Sequence, residues 1–321
     1  MISRMRTLIG CLVGLSLLAY CTPTESSDNL LSDRAIRVVA TTSIIADLVR
    51  EVGGSEVVVE SLMGPGVDPH LYKASARDVS RMAEADLVVY NGLHLEGKMG
   101  DLFEAIKEQG RATIAVAEVG VPDSLLITSE LFQGNYDPHV WFDATLWAQA
   151  AQALANALGA LDPGREELFS SHGEAYAIEL MEVDAYVRRR VAEIPEQRRV
   201  LVTSHDAFGY FGQAYGLEVH GLQGISTVLE AGMADVQDLA TLVAERRIPA
   251  MFIESSVSPR GIEAVREAVK ARGFEVSIGG TLYGDALGGA STPASTYLGM
   301  IRHNIDTIVK ALSNGERNRS S

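Results

Sequence analysis

The chain has 321 residues, room for two ordinary domains, and its 47% hydrophobic and 21% charged content is a globular balance rather than a disordered one. Twenty-seven basic against 42 acidic residues leave a net charge of −15, which repels phosphate backbones, excludes nucleic acid as a partner and favours a cationic ligand over an anionic one. The only cysteines, Cys11 and Cys21, exclude a disulfide scaffold and a cysteine-rich metal cluster.

Arg4 and Arg6 precede an uncharged apolar run from Leu8 to Tyr20. That run is shorter than the roughly 20 residues of a membrane span and suits an export signal over residues 1–20. Leu18-Ala19-Tyr20-Cys21 resembles the lipobox at which bacterial lipoproteins are cleaved and lipidated on cysteine, with Tyr20 in place of the usual small residue. A plain cleaved signal and a lipid anchor on Cys21 both stay open. Residues 21–35 read as a polar tether, and no later segment is apolar for long enough to cross a membrane.

Beyond the tether, strand and helix patterns alternate. Strands are predicted at 36–41, 57–59, 87–90 and 113–116, with helices at 44–52, 76–83 and 102–107. Asp162-Pro163 is a helix start, with a capping residue followed by proline at the first helical position. Tyr176, Leu180, Val183, Val187, Val191 and Ile194 then recur at spacings of four and three. This predicts one amphipathic helix over 162–195, about 45 Å long at about 1.5 Å per residue, that joins two lobes stiffly. Strands follow at 200–203, 251–253 and 274–278, and helices at 207–214, 234–246, 261–272 and 296–312. The expected fold is α/β, with a first lobe over 36–161, a second over 196–314 and a tail at 315–321. Each lobe carries a mostly parallel sheet flanked by helices.

Four segments concentrate the chemistry: Gly66-Val67-Asp68-Pro69-His70-Leu71-Tyr72, Asp137-Pro138-His139-Val140-Trp141, Thr203-Ser204-His205-Asp206 and Gly279-Gly280-Thr281-Leu282-Tyr283-Gly284-Asp285. At least three follow predicted strands, where open α/β sheets bind ligands. Three imidazoles and one carboxylate suit Zn²⁺ with one carboxylate oxygen, or a five-coordinate ion such as Mn²⁺ with both. His70 and His139 share an Asp-Pro-His context in which proline restricts the loop. Taken alone, His205 reads as a helix cap and Asp285 as a turn former. Asp68 and Asp137 are placed to orient loops or ligands. Glu254, ending the apolar run Phe252-Ile253-Glu254, needs a partner and is a candidate to hydrogen-bond a histidine ligand from behind. His94 and His220 are read as structural, His172 and His303 as solvated.

Those segments, with Tyr90-Asn91-Gly92-Leu93-His94-Leu95-Glu96, Gly221-Leu222-Gln223-Gly224-Ile225-Ser226-Thr227 and Phe252-Ile253-Glu254-Ser255-Ser256, resemble the metal-receptor lipoproteins of bacterial zinc and manganese ABC transporters. The likeness is closest to the TroA-type receptors and spans nearly all of the chain after the signal. It implies two α/β lobes with one Zn²⁺ or Mn²⁺ bound between them by His70 and His139 from the first lobe and His205 and Asp285 from the second. It also implies a monomer outside the cytoplasm, periplasmic or at the cell surface, delivering the ion to a membrane permease. Manganese-dedicated relatives tend to carry Glu where this chain has His205, and the His-rich loop of many zinc receptors is absent, since Val121 to Tyr136 contains no histidine. The chain sits between the two groups.

Two rivals make different demands. A secreted zinc hydrolase needs an open coordination position and commonly a His-Glu-x-x-His helix, which this sequence lacks. Ser204-His205-Asp206 is no catalytic triad, because adjacent side chains point apart. A surface adhesin role is compatible with metal binding, and no residue pattern tests it.

Overall fold

A computed structural model describes residues 34–129, 132 and 134–313. The export signal, Cys21, all but the last two residues of the tether and the 315–321 tail lie outside the described residues. The first lobe is built on β1 (Ile36–Ala40), α1 (Ser43–Gly53), β2 (Val57–Ser61), α2 (Ala76–Glu84), β3 (Leu87–Tyr90), α3 (Gly100–Glu108), β4 (Ala112–Ala115), α4 (Val116–Gly120) and α5 (Ala144–Leu161). Its four strands are parallel in the order β2-β1-β3-β4. Alternate strand residues serve opposite faces. Val38, Ala40, Leu87 and Val89 join the main core, whereas Val39 and Val88 pack with Met82, Phe103 and Ile106 under α2 and α3.

After the long helix α6 (Glu166–Val191), the second lobe follows with β5 (Val200–His205), α7 (Gly209–Tyr215), β6 (Glu218–Gln223), α8 (Met233–Arg246), β7 (Ala250–Glu254), α9 (Arg260–Ala271), β8 (Ser277–Leu282) and α10 (Tyr297–Ser313). β5 pairs with β6 and β7 with β8, all parallel, and β5 lies beside β7. The order β6-β5-β7-β8 repeats that of the first lobe. In both, the first and third strands lie side by side and the chain leaves them in opposite directions, so their carboxyl ends face a crevice.

α6 has 26 residues, about 39 Å at about 1.5 Å per residue. It is shorter than expected because Pro163–Arg165 form a 3₁₀ turn, with Asp162 accepting the Gly164 N–H. Phe169, Gly173, Tyr176, Leu180, Val183, Val187 and Val191 make one buried stripe. At its start Arg165 pairs with Glu56 at 2.8 Å; near its end Arg188 donates to the Ala214 carbonyl at 2.9 Å and Arg190 pairs with Asp306 at 2.9 Å. The helix thus spans both lobes. One continuous core runs along it from Ile36 to Leu312, and wide opening would expose side chains worth about 1.5–3 kcal/mol each.

The remaining departures from the sequence reading are local. α5, α4 and β6 were not expected, and the last strand lies at 277–282 rather than 274–278. His172 is half-buried, its Nδ1 3.0 Å from the Val52 carbonyl, and His303 is half-buried against Tyr283, its Nε2 3.1 Å from the Thr281 carbonyl. Each is therefore only partly solvated, with its ring resting on a backbone carbonyl. No helix among the described residues is long and apolar enough to cross a membrane.

Candidate metal centre

The two Asp-Pro-His segments form the same local device. Asp68 accepts the backbone N–H of His70 at 2.8 Å, and Asp137 accepts that of His139 at 2.9 Å. In each, an aspartate folds the chain back two residues on, and proline narrows the intervening backbone. Asp68 also accepts the Thr227 hydroxyl at 2.6 Å, tying the His70 loop to the second lobe. Asp137 also holds His139 Nδ1, at 2.6 Å from its Oδ1, which leaves Nε2 free to face the crevice. Asn91 donates to the Pro138 carbonyl at 3.0 Å, and Tyr210 donates to the Asp137 carbonyl at 3.0 Å.

His205 ends β5 and Glu254 ends the adjacent β7. Glu254 Oε1 accepts the backbone N–H of His205 at 2.9 Å, while Oε2 lies 2.8 Å from His205 Nδ1, close but poorly aligned for a hydrogen bond. Asp285 follows β8 and Gly284. A Cβ on Gly284 would lie 2.4 Å from Glu254 Oε2 and 3.4 Å from His205 Cε1, so only glycine fits. Trp141 lies edge-on to the His139 ring and donates to the Gly284 carbonyl at 3.2 Å, joining His139 in one lobe to Asp285 in the other.

His70, His139, His205 and Asp285 converge in the crevice. One ligand atom from each lies within 4.8 Å of those of the others. Asp285 Oδ1 is 3.3 Å from His139 Nε2, and Oδ2 is 3.3 Å from His205 Nε2 and 3.9 Å from His70 Nε2. Two donors on one tetrahedral zinc at about 2.0–2.1 Å each stand about 3.3–3.4 Å apart, so the spacing matches an ion-binding shell. All four side chains are at most 2% exposed, and both ring nitrogens of His70, Nε2 of His139 and His205 and both oxygens of Asp285 have no hydrogen-bond partner. Buried polar atoms in this number need a ligand.

Electrostatics divides the set. Burial pushes the His70 pKa down to about 3, keeping that ring neutral. Burial opposes protonation of His139 too, but Asp137 and Asp285 outweigh it and raise the pKa to about 9. Glu254 and Asp285 likewise hold His205 well above its ordinary value against burial. Burial disfavours ionised Asp285, yet His205 and His139 keep its carboxyl well below the usual range. Protons and a dication are therefore alternatives for the same nitrogens, and the carboxylates behind the rings compensate the charge of either.

The family described as "Zinc-uptake complex component A periplasmic", ZnuA, matches residues 38–311. The chain belongs to this family. Within it, the chain is 48% identical to the "Zinc-binding protein TroA" of Treponema pallidum (strain Nichols) over 303 residues, 94% of this chain and 97% of that protein. It is 49% identical to the "Manganese-binding lipoprotein MntA" of Bacillus subtilis (strain 168) over 282 residues, 88% and 91% of the two. The solved periplasmic zinc-binding protein TroA from Treponema pallidum superposes with a TM-score of 0.84 at 50% identity, covering 87% of this chain and 99% of that one. The ZnuA family fold and the buried His₃Asp cluster, able to hold a metal ion, thus occur together in one molecule.

Of the other residues singled out in the sequence, Glu254, Asp68 and Asp137 stand directly behind the cluster. His94 is exposed beside it, and His220 is remote from it, paired with Glu218 at 2.7 Å. The sequence reading missed Thr227, Trp141, Asn91 and Tyr210 as parts of the site. Asn91 and Thr227 lay inside segments already noted, but their partners Pro138 and Asp68 are 47 and 159 residues away.

Proposed function

We propose that this protein is the extracytoplasmic receptor of a divalent-metal ABC transporter. It takes up one Zn²⁺ or Mn²⁺ between a first lobe at 36–161 and a second at 196–314, joined through 162–195, and hands it to a membrane permease. His70, His139, His205 and Asp285 are the ligands. The observation that carries this reading is the convergence of four buried side chains from both lobes whose inward donor atoms have no hydrogen-bond partner.

The donor set favours zinc intrinsically, following the usual order of divalent affinities, while both Asp285 oxygens face histidine nitrogens and can serve a five-coordinate manganese. Relatives are named for zinc, manganese and, in Yersinia pestis, iron, so metal supply decides occupancy. Four protein donors fill a tetrahedral shell without a position for an attacking water, which supports a carrier over a hydrolase. The stiff α6 and the shared core restrict the loaded-to-empty change to a small tilt, which the permease reads. Relatives named as lipoproteins support anchoring through Cys21, with the monomer held at the outer face of a membrane.

Competition titration with a chromogenic chelator tests the assignment. His205→Ala and Asp285→Ala each lower affinity by orders of magnitude while circular dichroism stays that of the wild type. Unchanged affinity in either variant rejects the ligand set.

A further inference from the structure

A cavity of about 210 Å³ has His70 on its floor and His94, Gly97, Lys98, Phe132, Asn135, Ser226 and Val228 around it. The floor is buried: His70 is 2% exposed and neither of its ring nitrogens has a hydrogen-bond partner. The rest of the wall is more open: His94, Gly97, Lys98 and Val228 are exposed, and Phe132, Asn135 and Ser226 are half-buried. Two larger cavities, about 490 and 480 Å³, contain no residue of the His₃Asp cluster. Six waters at about 30 Å³ each occupy about 180 Å³, so this space admits a divalent ion with much of its hydration shell.

The rim histidine is held in an uncommon backbone. Gly92, Leu93 and His94 have φ of 84°, 53° and 64° in succession. Left-handed conformations at two consecutive non-glycine residues, one of them leucine, cost energy and persist only when the surroundings enforce them. Here two carboxylates do so. Glu96, 3% exposed, accepts the N–H groups of Asn91 at 2.9 Å and Gly92 at 3.3 Å, and Glu118 accepts that of Leu93 at 2.7 Å. The leucine is thereby tucked in, 6% exposed, and the imidazole is presented to solvent at the cavity mouth.

We propose that this cavity is the path of the ion, and that His94 is a transient ligand which holds the incoming cation at the mouth before His70 receives it. The inference rests on the receptor reading above and adds a site to it. A group that touches the ion only on the way in and out lowers the barrier equally in both directions. It therefore changes rates and not the dissociation constant. Lys98, on the same rim, repels the ion and slows the same step.

Stopped-flow association and chelator-driven release of Zn²⁺, with the full-length mature protein, test this. His94→Asn is the variant of choice, because asparagine tolerates left-handed backbone. It should slow association and release alike by about tenfold, the low end of what concentrating an ion at a cleft mouth contributes, with Kd unchanged. Lys98→Gln should speed association, because it removes a positive charge at the mouth. An unchanged association rate in either variant, or a His94→Asn effect on release alone, overturns the proposal. Wild-type protein that binds no metal would instead defeat the receptor reading itself, so the two failures are distinguishable.

Discussion

Replacing Glu254 by Gln probes how the site fixes a ligand from behind. Glu254 is 3% exposed, and both of its oxygens face donors of one residue, Oε1 the His205 backbone N–H and Oε2 the ring Nδ1. An amide has only one oxygen. In the metal-free protein Glu254 helps to hold His205 protonated. The variant has a solution if the ring releases one proton: its oxygen accepts the backbone N–H, its NH₂ donates to Nδ1, and the remaining ring proton sits on Nε2, which faces Asp285. Metal on Nε2 removes that solution, because Nδ1 must then carry the proton and meets another donor. The unmet donor therefore falls on the loaded form, since the metal-free ring can shed a proton to avoid it, and costs about 1–3 kcal/mol. That is roughly 5- to 150-fold in Kd. Competition titration at pH 7.5 measures it, and thermal unfolding of the metal-free protein checks that stability is little changed. Affinity within twofold of wild type, or an equal loss of stability without metal, would refute the tautomer argument.

Other expectations follow from the same geometry. Gly284→Ala should weaken metal binding at least as much as the Glu254 variant, because its Cβ would meet Glu254 Oε2; a titration with wild-type affinity would show that the turn can give way. Metal affinity should rise steeply between pH 6.5 and 9, as protons leave His139, whose pKa is about 9 without metal. Calorimetry in buffers of different ionisation enthalpy should accordingly detect proton release on loading. Stability of the metal-free protein should run the other way. A folded pKa raised above the unfolded value of about 6.5 contributes stability that is complete below pH 6.5 and lost as pH rises through 9. Denaturant midpoints without metal that increase over this window would contradict a charged His139 held by Asp137 and Asp285.

Much of the fold was legible because buried parallel strands are short apolar runs between helices. Leu87-Val88-Val89-Tyr90 is the strand expected, and the β7 run Ala250–Glu254 differs only at its ends. α5 escaped because Ala144 to Leu161 is apolar on most sides, with ten buried residues and no clear polar stripe to mark a period. β6 and β8 were obscured by glycine. Gly221 would carry a Cβ 2.4 Å from the Asp206 nitrogen and Gly279 one 2.6 Å from the Phe252 ring, so close packing demands the residue that local propensity assigns to turns. The four cluster residues were visible through motif and resemblance, and Glu254 through the cost of a carboxylate at a buried strand end. The braces between lobes were not. Thr227 on Asp68, Trp141 on the Gly284 carbonyl, and Tyr297, which donates its N–H to Asp47 at 2.7 Å and its hydroxyl to the Trp141 carbonyl at 2.7 Å, join residues whose nearness only the folded chain creates.

A crystal structure of the zinc-loaded protein, with anomalous scattering recorded at the zinc edge, tests the central claim most directly. The expected result is one ion in the crevice, bonded to one nitrogen each of His70, His139 and His205 and to Asp285 at about 2.0–2.2 Å. An ion bound elsewhere, or held by the side chains of one lobe alone, would contradict it.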